Sequence, residues 1–130
     1  MIKTIKIGEN EYVLNSNAYT RFLYKQTFNR KILEDVQVIV QFATEVQEEK
    51  ERLEKEKLSE EELNTKIGIF ALSKLDDYID VLLQLTYIFI KCNDEKFMPY
   101  EDWLKTIDKI NPNDSWVSEV TELSVSSFYR

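Results

Sequence analysis

Apolar positions are densest between Ile67 and Lys91, IGIFALSKLDDYIDVLLQLTYIFIK. Leu75, Tyr78, Ile79, Leu82, Thr86, Phe89 and Ile90 follow helical spacing on one side, and Val81, Leu83, Leu85, Tyr87 and Ile88 fill the flanks. A narrow polar line remains through Asp77, Asp80, Gln84 and Lys91. A helix with so little polar surface is buried against several neighbours, so the rest of the chain is expected to pack around this stretch. The neighbours can be read from their own periodicities. Residues 2–14 mix β-branched and polar residues in rough alternation around Gly8-Glu9-Asn10, which predicts a β-hairpin. Asn15-Ser16-Asn17 supplies N-cap types for a helix over 17–28, with Tyr19, Phe22, Leu23 and Gln26 inward and Arg21, Lys25 and Thr27 outward. Ile32, Val36, Ile39, Ala43 and Val46 recur at amphipathic spacing in a helix over 31–57.

Beyond Val46 the pattern changes to EVQEEKERLEKEKLSEEEL, where Leu53, Leu58 and Leu63 are too widely spaced for a coiled-coil seam. Residues 47–62 are expected either to project as the charged tip of a helical hairpin or to fray, with Glu48–Arg52 and Glu51–Lys55 pairing at i,i+4. Ser59 and Glu62 have capping-box spacing, starting a helix over 60–91 that includes Gly68. That glycine either weakens the helix or admits a close neighbour. Pro99 suits the first turn of a helix over 99–110, with Trp103, Leu104, Ile107 and Ile110 inward, ended by Asn111-Pro112. Asn113-Asp114-Ser115 offers caps for a helix over 115–124, and 125–130 reads as a tail. The expected fold is mainly α: one domain over 1–130, an N-terminal β-hairpin followed by about five helices packed around the central apolar one. A lone hairpin is marginal in water, so it must lie on the helices or pair its edge with another chain.

Composition agrees with this picture. Glycine and proline number two each in 130 residues, too few turns for a strand-rich fold. The charge is −7 overall but uneven: residues 1–33 hold six basic and two acidic side chains, residues 34–62 four basic and eleven acidic. Either the asymmetry steers one copy toward another or it decorates solvated faces. The acidic balance argues against nucleic acid as a partner. The charge-free segment Val81–Ile90 is too short for a bilayer, and no membrane association is expected. Cys92 is the single cysteine, which excludes an intrachain disulfide and fits a reducing cytoplasm.

Candidate chemistry is sparse. The absence of histidine removes the Ser-His and Cys-His nucleophile systems and the commonest metal ligand. Cys92 alone builds no thiolate zinc site and reads as an inert thiol at a helix end. Asp77 and Asp80 share a face, but with no further ligands indicated they and Asp76 read as a polar stripe. No catalytic residue, cofactor or metal is expected. Aromatic residues favour interfaces. The residues assigned to partner or self-association contacts are Ile5 and Ile7 on the hairpin, Tyr87 and Ile88 on the central helix, and Trp103, Trp116, Phe128 and Tyr129 in the last third. Phe128 and Tyr129 either fold back or meet a partner.

The opening MIKTIKIGENEYVLNSNAYTRFLYKQTFNRKILEDV, with a short hairpin, NSNAYTRFLYKQTF and then KILEDV, resembles the tail assembly chaperones of long-tailed phages and prophages of Gram-positive bacteria. FMPYEDWLKTID resembles that family's penultimate helix; the charged 47–62 segment is its least typical part. The resemblance implies a non-enzymatic role in the host bacterial cytoplasm. Such proteins bind the tape measure protein, keep it soluble until the tail tube of major tail protein assembles, and form homo-oligomers. The alternative, from the residues alone, is a small acidic regulator or inhibitor that binds a basic protein through residues 45–62. A small enzyme using Asp76, Asp77, Asp80 and Cys92 ranks third.

Overall fold

The computed structural model describes residues 1–111 and 114–129. Pro112, Asn113 and Arg130, assigned above to a helix end, a cap and a tail, lie outside the described residues. The chain is mainly helical, with an antiparallel two-stranded hairpin at its start.

Strands β1 (Ile2–Ile7) and β2 (Asn10–Asn15) pair with Ile7 opposite Asn10, leaving Gly8-Glu9 as the connection. Gly8 takes φ +61 while Glu9 stays out of the left-handed region, the pattern of a II′-type turn whose twist suits a hairpin. Asn10 therefore belongs to the returning strand. Alternation puts Ile5, Ile7 and Leu14 on one buried face, with β2 on the central helix and β1 against the last helix, and leaves Ile2 and Val13 outside.

Helix α1 (Ala18–Phe28) starts at Asn17, whose side chain accepts from Tyr19 N while Thr20 Oγ1 accepts from Asn17 N. It ends at Asn29 in the left-handed conformation (φ 55). Helix α2 (Ile32–Glu54) buries Ile32, Asp35, Val36 and Ile39; Ala43 lies exposed and Val46 half-buried, so the inward stripe fades sooner than expected. Helix α3 (Glu60–Ser73) begins at Ser59, which accepts from Glu62 N, and folds back along α2. Residues 47–62 thus form the turn region of an ordered helical hairpin. Arg52 pairs there with Glu49 at 2.5 Å and Glu56 at 3.2 Å, in place of the Glu48 and Glu51 pairs.

The expected single helix over 60–91 is two helices. Lys74 (φ −110, ψ 2) ends α3 and begins α4 (Leu75–Asn93). Ser73 Oγ donates to Phe70 O at 2.6 Å, and Lys74 N turns to Ala71 O at 3.0 Å, tightening the last turn and breaking the α ladder. The chain also changes partner here. No residue of α3 is buried, whereas α4 buries eleven. The central helix is α4 alone, touching β2, α1, α2 and α6.

Helix α5 (Tyr100–Leu104) is one turn and stops well short of 110; Thr106 Oγ1 donates to Trp103 O at 2.6 Å and closes it. Trp103 is buried, with Leu104, Ile107 and Ile110 half-buried. Pro99 sits at the N-cap. Helix α6 (Ser115–Phe128) runs past Ser124 because Phe128 reaches the core, its ring stacked on Phe89 at 6.5 Å. The tail expected from Val125 onward is helix as far as Phe128.

Candidate functional site

Most of the residues assigned to contact surfaces are inside the protomer. Ile5, Ile7, Tyr87, Ile88, Trp103 and Trp116 all belong to the hydrophobic core. Tyr87 is surrounded by the rings of Phe28, Phe97, Tyr100 and Trp103, and its hydroxyl donates to Met98 O at 2.8 Å. None of the six can reach a partner while the fold persists. Large apolar residues serve cores and interfaces alike, and here the helices and hairpin pack all six into one core, with β2 and α5 closing over Tyr87. Phe128 is half-buried against Phe89, and Tyr129 alone of the eight is exposed.

The structure also moves α1 by part of a turn relative to expectation. Its buried residues are Thr20, Leu23 and Tyr24, while Tyr19 and Phe22 face outward and Gln26 is exposed. Polar anchors set this rotation. Thr20 is held by the Asn17 cap. Tyr24 donates to Asp35 Oδ2 at 2.5 Å, and Arg30 grips the same carboxylate through Nε at 2.8 Å and Nη2 at 2.7 Å. Gln84 Oε1 lies 3.0 Å from the Tyr24 oxygen. Since the single phenolic hydrogen goes to the carboxylate, a turned-over Gln84 amide donates its NH2 there. Burial by itself would raise the Asp35 carboxyl, but the hydrogen bonds from Arg30 and Tyr24 and the guanidinium charge hold it below the ordinary carboxylate range. Burial, with the Asp35 hydrogen bond and charge, pushes the Tyr24 phenol far up. This cluster fixes α1 to α2 and α4.

What the rotation leaves outside is an apolar and cationic face. Phe22 is 60% exposed and its ring lies 5.7 Å from that of Tyr19. Ala18, Arg21, Phe22, Lys25 and Gln26 share this one open face of α1. Arg21 and Lys25 also border a narrower groove with Arg30, Lys31, Ile32, Leu33 and Glu34, Leu33 being exposed, so the face and the groove form one continuous surface. Residues 18–33 contain four cations and no anion. Of these only Arg30 is ion-paired among the described residues.

A second apolar surface lies on the α2–α3 arm. Ile69 is 63% and Leu72 67% exposed, one helical turn apart on α3. Leu53 is buried on the inner side, outside the main core and near Lys66, Ile69 and Phe70.

Among the described residues no three His, Cys, Asp or Glu side chains are placed to hold a metal ion. Asp76, Asp77 and Asp80 are exposed, and Cys92 Sγ lies 3.3 Å from Thr20 Oγ1 at the end of α4. Among the described residues no helix is long and apolar enough to cross a membrane. Comparison with known protein families, with curated proteins and with solved structures finds no match for this chain.

Proposed function

We propose that the protein is a non-enzymatic tail assembly chaperone that holds a long helical client, a tape measure protein, in soluble form. The observation that supports it is the outer face of α1 together with the start of α2: Tyr19, Phe22 and Leu33 exposed beside Arg21, Lys25 and Lys31. An amphipathic client helix presents apolar anchors at i, i+3, i+4 and i+7, which suit a helix face bearing two exposed aromatic rings. An open face with a charged rim binds weakly enough to release the client as tube subunits arrive. The sequence resemblance in residues 1–36 and 97–108 adds the identity of the client.

Co-expression with a tape measure protein tests the reading. The client should move from the insoluble to the soluble fraction, and Phe22→Asp should abolish the gain. A client equally insoluble with and without this chain overturns the proposal.

The ordered, acidic α2–α3 arm favours a second reading, an acidic regulator of a basic protein. Replacing residues 47–58 by a neutral helical hairpin separates the two. A regulator loses its effect, whereas the chaperone retains its client.

A further inference from the structure

The surface formed by α1 and the start of α2 is charged against the balance of the chain. The protein carries −7 overall, yet Arg21, Lys25, Arg30 and Lys31 line one groove there with a single exposed carboxylate, Glu34. The Glu34 charge falls on Arg30, which also holds the buried Asp35. Arg21, Lys25 and Lys31 are exposed and have no carboxylate partner among the described residues. The chain has 24 acidic side chains for 17 basic ones, so three neighbouring cations without a partner stand out. The layout is also one-sided. Arg21 and Lys25, at i,i+4, fall to one side of Phe22 on α1, and Tyr19 falls to the other. The cationic side is the one that borders Lys31 and Leu33. A helix laid on the two rings therefore has one flank over Arg21, Lys25 and Lys31.

We infer that this face takes an acidic amphipathic helix, with apolar anchors on Tyr19, Phe22 and Leu33 and carboxylates along the flank that meets Arg21, Lys25 and Lys31. The inference rests on the chaperone reading of the site and adds the chemistry of the client segment, which an apolar face alone leaves open. Apolar contact supplies the affinity. Opposed charge selects the segment, fixes which flank faces α2 and speeds encounter, although the protein as a whole is anionic. A basic segment with the same anchors meets like charge along that flank.

Two synthetic helical peptides test this on the isolated protein by fluorescence anisotropy. Both carry Leu anchors at i, i+3, i+4 and i+7, and the flanking positions are Glu in one and Gln in the other. The Glu peptide should bind wild type about tenfold tighter at low salt, and the preference should vanish by roughly 0.5 M salt. Arg21→Gln with Lys25→Gln should erase the preference and leave the Gln peptide within about twofold of its wild-type affinity, and Arg21→Glu with Lys25→Glu should reverse it. Glu34→Gln should tighten the Glu peptide by roughly twofold. Phe22→Ser should weaken both peptides by at least about tenfold. All of these positions are exposed, and circular dichroism melts check the fold of each variant. Equal affinity for the two peptides, a preference that survives removal of both cations, or no binding of either peptide overturns the inference. Phosphatidylglycerol vesicles that sediment the wild type and not Phe22→Ser overturn it too, by assigning the face to a lipid surface. Wild-type oligomers that Phe22→Ser dissolves and the Glu peptide fails to disperse overturn it by assigning the face to a second copy. No tape measure protein takes part, so the two proposals fail separately. An insoluble client beside a Glu-selective face refutes the chaperone reading alone, and a solubilised client beside equal peptide affinities refutes this inference alone.

Discussion

Tyr24 and Asp35, one on α1 and one on α2, share a hydrogen bond of 2.5 Å in the interior, and Asp35 is only 1% exposed. A carboxylate taken out of water is tolerable because three donor contacts surround it: the phenol and two guanidinium nitrogens. Asp35→Ala leaves the Tyr24 hydroxyl with Gln84 alone and frees Arg30 into solvent. The expected loss is about 2–3 kcal/mol, read as a shift in the urea midpoint. The pH dependence follows from the direction of the shift. The folded value of Asp35 lies below its ordinary 3.8, so its contribution is present above that value and disappears as pH falls through the folded one. Wild type and Asp35→Asn should therefore differ most at neutral pH and converge below about pH 4.

At the alkaline end the tyrosines decide. Burial pushes the phenols of Tyr24, Tyr78 and Tyr87 up, and that of Tyr100, also facing Asp80, up to about 12. A raised folded value favours the neutral phenol in the fold. Stability should be whole below about pH 10 and fall as pH rises above it, because the unfolded chain ionises first. Thermal melts between neutral pH and pH 12 would show it. Tyr100→Phe should soften the decline, and an unchanged slope would contradict the assignment.

Tyr87 shows where sequence reasoning succeeded and where it stopped. Its helix was legible as the central element because nearly its whole circumference is apolar, and α4 does bury residues on every side. Sequence alone made Tyr87 and Ile88 surplus to the core and therefore available to another subunit. It had no means of showing that β2 and the α5 turn close over that side. On sequence grounds Leu82→Asp unfolds the protein and Tyr87→Asp only breaks assembly. With Tyr87 1% exposed among four rings, both should unfold it. A folded, monomeric Tyr87→Asp protein by circular dichroism and sedimentation would restore the earlier assignment.

The α1 face was missed for a related reason. Ranking residues by hydropathy turns Tyr19 and Phe22 inward. The helix instead follows Thr20 and Tyr24, whose polar atoms bond to Asn17 and Asp35. One available signal was that Arg21 and Lys25 lie at i,i+4, so the face they mark as solvent-exposed also includes Phe22 and Ala18. Leu53 was likewise legible only as an isolated apolar residue; the fold-back of α3 buries it.

That fold-back has its own consequence for stability. Leu53 is buried but separate from the main core, and α3 contributes no buried residue. The distal arm should open independently of the body. Leu53→Ala should speed amide exchange in residues 49–70 by about tenfold or more, leaving α4 protected as in wild type. Equal acceleration in α4 would show that the arm and body form one cooperative unit.

The last test uses the two glycines against each other. Gly8 needs φ +61 for the hairpin turn, so Gly8→Ala is strained even though space is open around it, and should cost about 1 kcal/mol. Gly68 lies in α3, where a methyl group meets nothing within 4 Å. Replacing it with alanine removes backbone freedom from the unfolded arm and improves helix propensity by about 1 kcal/mol. Gly68→Ala should slow exchange of α3 amides by roughly fivefold while the global urea midpoint stays nearly constant, because the arm opens before the body does. A drop in arm protection would mean that Gly68 is required by a contact within the protomer.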